Sequence, residues 1–233
     1  MGEAMVVVSG KGGTGKTSFV AGVGSALAVL GYEVLCMDCD AGLRNLDLAL
    51  GRCSLEEAAV AHPRIPRLHL LTAPSSLERG RISKEQMTDL MDQVRQRYDY
   101  CLLDAPAGLG SMFRLAVCAA DRCTVVTTTD VSSLRDAQHT VMLLDSYFPQ
   151  GRLHLVVNRV RRKLLRSLHA TIDDAIDTAG APLLGVIPED DALPLALNRG
   201  IPLRDMNFYA QRAYENIAKR ITGQRIPLLR ARW

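Results

Sequence analysis

Short apolar runs alternate with longer amphipathic segments along the whole of this 233-residue chain. The runs are continuously apolar, which is typical of strands buried on both faces of a parallel sheet. The helices between them must then cover both faces, as in a doubly wound α/β domain. No Gly/Ser-rich linker or internal repeat interrupts the pattern. We therefore predict a mostly parallel sheet with helices on both faces, in one domain over residues 1–222, followed by a short basic tail over 223–233.

The pattern also predicts where each element lies. Strands are predicted over residues 5–9, 34–38, 68–73, 100–104, 124–128, 153–157 and 183–187. Helices are predicted over 17–30, 84–97, 132–146, 166–178 and 205–221. Gly31 follows the first helix and is expected to be its left-handed C-terminal residue.

A glycine-rich turn joins the first predicted strand to the first predicted helix. Residues 10–17 read G-K-G-G-T-G-K-T and match the phosphate-loop pattern G-x-x-x-x-G-K-[ST]. Its glycines let backbone N–H groups approach phosphate closely, and the dipole of the following helix favours negative charge. Lys16 supplies a cation to the β- and γ-phosphates, and the Thr17 hydroxyl is a ligand for Mg²⁺. The turn therefore predicts a site for a nucleoside triphosphate with Mg²⁺.

Three aspartates follow predicted strands, at the edge where an open α/β sheet binds its ligands. Asp104 ends a strand and precedes A-P-A-G, which is typical of a Walker B strand that leads into a switch loop. We expect Asp104 to hold Mg²⁺. Asp38 and Asp40 end the second strand, and two residues apart in an extended segment they face the same side. A helix N-cap is the alternative role for Asp40.

Lys11 gives the loop a second lysine, and K-G-G-T-G-K-T is the deviant form of the motif. With this loop the chain resembles the MinD/ParA family of deviant Walker A ATPases. The MinD branch is the more similar over residues 38–51, which read D-C-D-A-G-L-R-N-L-D-L-A-L-G. Further similarities follow in the same order over residues 104–108, 131–136, 158–160 and 184–190.

The resemblance implies an ATPase with ATP and Mg²⁺ as cofactors. In this family the early lysine, here Lys11, reaches the nucleotide of the partner subunit and stabilises the charge that develops there, as an arginine finger does. The implied catalytic residues are Lys11, Lys16, Asp38 and Asp40, and the implied metal ligands are Thr17, Asp38 and Asp104. The implied nucleotide contacts are Gly10, Lys11, Gly12, Gly13, Thr14, Gly15, Lys16, Thr17, Ser18, Asn158, Arg159, Pro188, Glu189 and Asp190. Among these, Asn158 would close a strand and read the adenine with its amide, and the backbone of 188–190 would line the other edge of the base.

The MinD branch implies a spatial switch in division-site placement. The ATP-bound protein would be a homodimer that meets an activator of hydrolysis and a division inhibitor or another effector. A DNA-partition ATPase of the ParA branch and a flagellar-number or polar-placement ATPase are the alternatives within the family. A cysteine-dependent metal or electron carrier is disfavoured, because Cys36 of the C-x-x-C at 36–39 lies in a buried-strand pattern and no second C-x-x-C completes a site.

The charge distribution and the C-terminal tail bear on what the protein could bind. The formal charge of +3 is too small by itself to indicate a nucleic-acid partner. Five basic residues between 159 and 166 suit either the solvated start of a helix or a patch for DNA or acidic lipid. The MinD branch normally ends in an amphipathic membrane-targeting helix, whereas Pro227 interrupts the end of this chain. Weak contact with an anionic membrane and a frayed end are both compatible with that tail.

The chain is expected to be cytoplasmic, either free or peripheral on the inner face of the cell membrane. It has no run of roughly 20 apolar residues, as a membrane-spanning helix requires. The first predicted strand begins so early that it leaves no room for a signal peptide. A reducing compartment would keep the six cysteines as thiols.

Overall fold

A computed structural model describes residues 1–39, 59–71, 83–106, 108–149, 151–161, 172–193 and 209–228. The strands are β1 (Glu3–Val8), β2 (Val34–Asp38), β3 (Val60–Ala61), β4 (Leu68–Leu71), β5 (Tyr100–Asp104), β6 (Arg122–Thr127), β7 (Leu153–Val160) and β8 (Leu183–Pro188). The helices are α1 (Lys16–Val29), α2 (Lys84–Arg97), α3 (Ser111–Ala119), α4 (Val131–Leu144), α5 (Ile172–Ala179) and α6 (Tyr209–Ile221).

The described strands form a single sheet in the order β3-β4-β2-β5-β1-β6-β7-β8. All the pairings are parallel except the short one between β3 and β4. β1 lies near the centre, between β5 and β6, and all its residues after Glu3 are buried. The predicted mostly parallel, doubly wound sheet is confirmed.

Alternate side chains of each strand enter two cores, one on each face of the sheet. Val6 faces the core covered by α2, α3, α4 and α5, whereas Val7 faces the core covered by α1 and α6. Continuous apolar runs are required because both faces of the central strands are buried. No helix in the described parts of the chain is long and apolar enough to cross a membrane.

Most predicted elements are present, with ends that differ by a few residues. The prediction that Asn158 closes a strand is wrong: β7 continues to Val160, because Val160 still pairs with Pro188 of β8. Gly31 has a left-handed φ of 100° after α1, as predicted. The predicted elements over 68–73, 166–178 and 205–221 lie partly outside the described residues.

Sequence patterns missed β3 and α3. β3 has two exposed residues and pairs antiparallel with β4, so it shows no apolar run. α3 has nine residues, and only Phe113, Ala116 and Val117 are buried, which is too short a stretch for a clear helical period.

Helix α1 packs against α6 at a glycine. A Cβ on Gly22 would lie 2.6 Å from Cδ2 of the buried Tyr214 ring. We expect Gly22→Ala to lower the free energy of unfolding by about 1–3 kcal/mol, because overpacking outweighs the better helix propensity of alanine. Urea unfolding would measure the change. Val29→Ala, on the same helix at a side chain that is 59% exposed, is the control and should change stability by less than about 0.5 kcal/mol. An unchanged stability of Gly22→Ala would contradict this close packing.

Candidate nucleotide site

The glycine-rich turn lies at the carboxyl edge of the sheet, between the end of β1 at Val8 and the start of α1 at Lys16. Its backbone turns through left-handed conformations at Gly13 (φ 80°) and Gly15 (φ 94°), which glycine adopts without strain. Gly15 is the N-cap of α1 and offers no side-chain acceptor to the N–H groups of the first turn. Those N–H groups and the helix dipole favour an anion at this point.

The glycines of the turn do not all have the same role. Open space surrounds the positions where Gly12 and Gly13 would carry a Cβ, so a phosphate could approach their backbone. Gly10 is different, because a Cβ there would lie 2.3 Å from the backbone oxygen of Asp136 in α4. The turn therefore fits a phosphate at its centre, and Gly10 is needed for contact with α4.

The two lysines of the turn occupy different positions. Lys16 is half-buried, and its Nζ donates to Oγ of Ser9 at 3.1 Å. The Ser9 hydroxyl in turn donates to the backbone oxygen of Lys11 at 2.8 Å. The side chain of Lys11 is exposed, and its Nζ lies 3.3 Å from Oγ of Ser132 at the start of α4. Lys16 is thus half-buried within the loop, whereas Lys11 is exposed and reaches α4.

The predicted metal ligands that the structure describes are close to one another. Oγ1 of Thr17 donates to Oδ2 of Asp104 at 2.6 Å. Asp38 lies opposite Asp104 on the adjacent strand β2. Hydroxyl and carboxylate oxygens are the ligands that Mg²⁺ prefers, so these residues fit a magnesium ion beside the loop. Asp40 lies outside the described residues.

A cavity of about 340 Å³ extends from the loop toward the ends of β7 and β8. Nη2 of Arg161 donates to Oε1 of Glu189 at 2.8 Å and links the ends of the two strands. Two residues predicted from the resemblance, Arg159 and Glu189, thus lie on the same cavity as the loop. Its lining residues are Lys11, Gly12, Gly13, Thr14, Thr128, Thr129, Asp130, Ser133, Arg159, Arg161 and Glu189.

Two predicted nucleotide contacts make other contacts in the structure. Asn158 is 2% exposed, and its Nδ2 donates to the backbone oxygen of Thr14 at 2.8 Å. The carboxylate of Asp190 accepts from the backbone N–H of Tyr209 at 2.9 Å, at the start of α6. A third predicted nucleotide contact, Ser18, lies in the first turn of α1. The roles of Asn158, Pro188 and Asp190 toward a base stay predictions.

Sequence reasoning missed Ser9 and Ser132, which hold the two lysines. Ser9 immediately follows β1, and Ser132 belongs to the V-S-S-L-R-D stretch over 131–136. A small hydroxyl residue directly after a strand or at the start of a helix is common, so neither carries a signal of its own.

The cysteines of the C-x-x-C over 36–39 are both buried. Burial, with a further contribution from the carboxylate of Asp104, raises the pKa of the Cys36 thiol to about 12. Cys36 therefore stays protonated at neutral pH, and a thiol is a weaker nucleophile and metal ligand than a thiolate. Among the described residues, no cluster of three or more His, Cys, Asp or Glu side chains forms a metal site, and the magnesium position described above uses two carboxylates and a hydroxyl.

Comparison with known proteins agrees with this geometry. The family described as CobQ/CobB/MinD/ParA nucleotide binding domain matches residues 5–203. The septum site-determining protein MinD of Synechocystis is 37% identical over an alignment of 247 positions, which covers 98% of this chain and 92% of that protein.

Two solved structures have the same fold. MinD in the MinC:MinD cell division protein complex of Aquifex aeolicus aligns with a TM-score of 0.86 at 35% identity, and the alignment covers 98% of each chain. MinD of Pyrococcus horikoshii, complexed with Mg-ADP, aligns with a TM-score of 0.78 at 25% identity over 95% of this chain and 96% of that chain. The family match and the identity over nearly the whole chain show that this protein belongs to the MinD/ParA family of nucleotide-binding proteins, in its MinD branch.

Proposed function

We propose that this protein is a MinD-type ATPase that binds MgATP, dimerises in that state and hydrolyses ATP as a spatial switch in division-site placement. One observation supports the chemistry above all. The Thr17 hydroxyl is bonded to the Asp104 carboxylate at the mouth of a loop that carries one lysine inside and a second lysine outside. The similarity to septum site-determining proteins supports the cellular role.

The residues around the loop have different roles in phosphoryl transfer. Lys16 places its charge at the β- and γ-phosphates, and Thr17 and Asp104 hold the cation. When bound, Mg²⁺ neutralises charge on those phosphates. Asp38, opposite Asp104 in the sheet, orients the attacking water, with Asp40 in the same role by the family resemblance. Phosphoryl transfer depends mainly on such positioning and charge.

The exposed position of Lys11 supports a dimer in which ATP joins the subunits. Its ammonium group lies at the surface beside Ser132, and the neighbouring Val131 side chain is 68% exposed. A second copy docked here would place each Lys11 near the nucleotide of the other subunit. The charge supplied in this way stabilises negative charge on the transferred phosphoryl group.

The similarity to MinD proteins also supports a proposal for the binding partners. A solved relative is in complex with MinC, which supports a division inhibitor as partner of the ATP state, beside an activator of hydrolysis. The short basic tail over 223–233 is proposed to touch the anionic inner face of the membrane. Two weak anchors in a dimer reinforce each other, because the second binds at a high effective concentration.

Sedimentation of the wild-type protein tests the switch. With Mg²⁺ and a non-hydrolysable ATP analogue we expect a dimer, and with ADP a monomer. Release of phosphate from ATP measures hydrolysis in the same preparation. A protein that stays monomeric with the analogue, or releases no phosphate, would contradict the proposal.

Vesicles of phosphatidylglycerol and phosphatidylcholine test the membrane step. We expect the dimer to pellet with them in the presence of the analogue and to stay in solution with ADP. The Asp40→Ala variant, which the family resemblance predicts to hydrolyse ATP slowly, should pellet with ATP itself. A dimer that never pellets would exclude the membrane step and direct the search to DNA or a protein scaffold.

A further inference from the structure

The buried amide of Asn158 makes two hydrogen bonds within the protein. Its Nδ2 donates to the backbone oxygen of Thr14 at 2.8 Å, and its Oδ1 accepts from the backbone N–H of Arg159 at 2.9 Å. These partners determine which end of the amide is nitrogen, since a carbonyl oxygen needs a donor and an N–H needs an acceptor. Only 2% of Asn158 is exposed, so its bond to Thr14 is shielded from water, whereas the bond from Arg159 is partly buried.

Gly15 lets this amide reach the loop. A Cβ at Gly15 would lie 2.3 Å from Nδ2 of Asn158, well inside van der Waals contact. The glycine is therefore required twice, for its left-handed φ of 94° and for the approach of Asn158. Gly15 therefore contributes no side chain where the Asn158 amide of β7 meets the loop.

The backbone after Asn158 also fixes its side chain. Arg159 has a left-handed φ of 54°, which is uncommon for a residue with a side chain. The pairing of β7 with β8 is irregular between Val157 and Val160. The N–H of Arg159 bonds to Asn158 itself, so the irregular backbone holds the amide in the orientation that faces Thr14.

We propose that Asn158 is a positioning residue for the phosphate loop, which it holds through the Thr14 carbonyl. The proposal rests on the function proposed above and adds a role that does not depend on the base. Residues 14 and 158 are 144 positions apart, so this bond ties the phosphate-binding turn to the strand that borders the 340 Å³ cavity. A residue that only read the base would affect nucleotide selectivity and leave phosphate binding unchanged.

Binding of inorganic tripolyphosphate separates the two roles, because this ligand has no base. With Mg²⁺ present, we expect Asn158→Ala to weaken the binding of tripolyphosphate about tenfold, and that of ATP by at least the same factor, since the loop loses a buried hydrogen bond. Thr124→Val is the matched control, because it removes a fully buried hydroxyl bonded to Sδ of Met5 on the neighbouring strand. It should leave both affinities unchanged. Normal tripolyphosphate binding by Asn158→Ala would overturn the proposal.

Hydrogen–deuterium exchange without any ligand gives a second readout. We expect the amides of residues 10–17 to exchange faster in Asn158→Ala than in the wild type, and at the wild-type rate in Thr124→Val. Asn158→Leu serves if the alanine variant does not fold, because it keeps nearly the same side-chain volume but has no N–H to donate to Thr14. Unchanged exchange in the variant that folds would overturn the positioning role. Failure of the wild type to bind ATP would instead overturn the proposed function and leave the exchange result valid.

Discussion

Replacing Lys16 with alanine is expected to weaken ATP binding by about 100-fold, which corresponds to the loss of a strong charge-assisted contact. The Lys16 ammonium lies inside the loop, 3.1 Å from Oγ of Ser9, and is half-buried. In that position it would be the main positive charge that the protein offers to the β- and γ-phosphates. Titration calorimetry with ATP and Mg²⁺ measures the effect.

Lys84→Ala is the control for Lys16→Ala. Lys84 is exposed at the start of α2 and does not line the cavity beside the loop, so its removal changes the net charge by the same amount without altering that cavity. ATP affinity should stay at the wild-type value, and both variants should keep the wild-type circular dichroism spectrum. Wild-type ATP affinity in Lys16→Ala would show that the loop does not bind phosphate as proposed.

Replacing Lys11 with alanine is expected to separate nucleotide binding from dimerisation. The Lys11 side chain is exposed and contacts Ser132 on the surface, so ATP binding by the monomer should be largely retained. In the dimer the same ammonium would be buried against the nucleotide of the partner. Removing one member of such an interfacial charge pair costs roughly 2–5 kcal/mol, so the dimer dissociation constant should rise about 30-fold or more.

Sedimentation with the non-hydrolysable analogue measures this dimer across a range of protein concentrations. Lys84→Ala again controls for the lost charge and should dimerise as the wild type does. If Lys11→Ala dimerises fully at wild-type concentrations, the lysine does not act across the interface. Loss of ATP binding by the monomer would also contradict the proposal that Lys16 binds ATP and Lys11 acts in the dimer.

The sheet and the loop could be predicted from local sequence. Residues 5–8 are apolar, and the glycines, Lys16 and Thr17 follow at the spacing that a phosphate loop requires. Asp104 was recognisable for the same reason, since it ends an apolar run and parallel strands end at one edge. Such features depend on neighbours within a few residues, so a single sequence contains them in full.

The positions of Asn158 and Asp190 were not predictable in this way. Asn158 was expected to read a base with its amide, and Asp190 to line the base with its backbone, and both stay predictions. The structure adds that the Asn158 amide bonds to the Thr14 carbonyl and that the Asp190 carboxylate accepts a hydrogen bond at the start of α6. Only the packing of distant segments shows which backbone group lies within reach.

The roles of Gly10 and Gly22 were also not predictable from the sequence. Gly10 belongs to the loop motif, but contact with the backbone of α4 at Asp136 requires it to lack a Cβ. Gly22 is an unfavourable residue inside a helix by sequence alone, and the structure explains it by the ring of Tyr214, which packs against it.

The sequence by itself determined the α/β pattern and the phosphate loop, because hydrophobic periodicity and turn chemistry act locally. Tertiary structure alone decided which glycines and amides hold the loop in place, because those contacts join segments that are far apart along the chain.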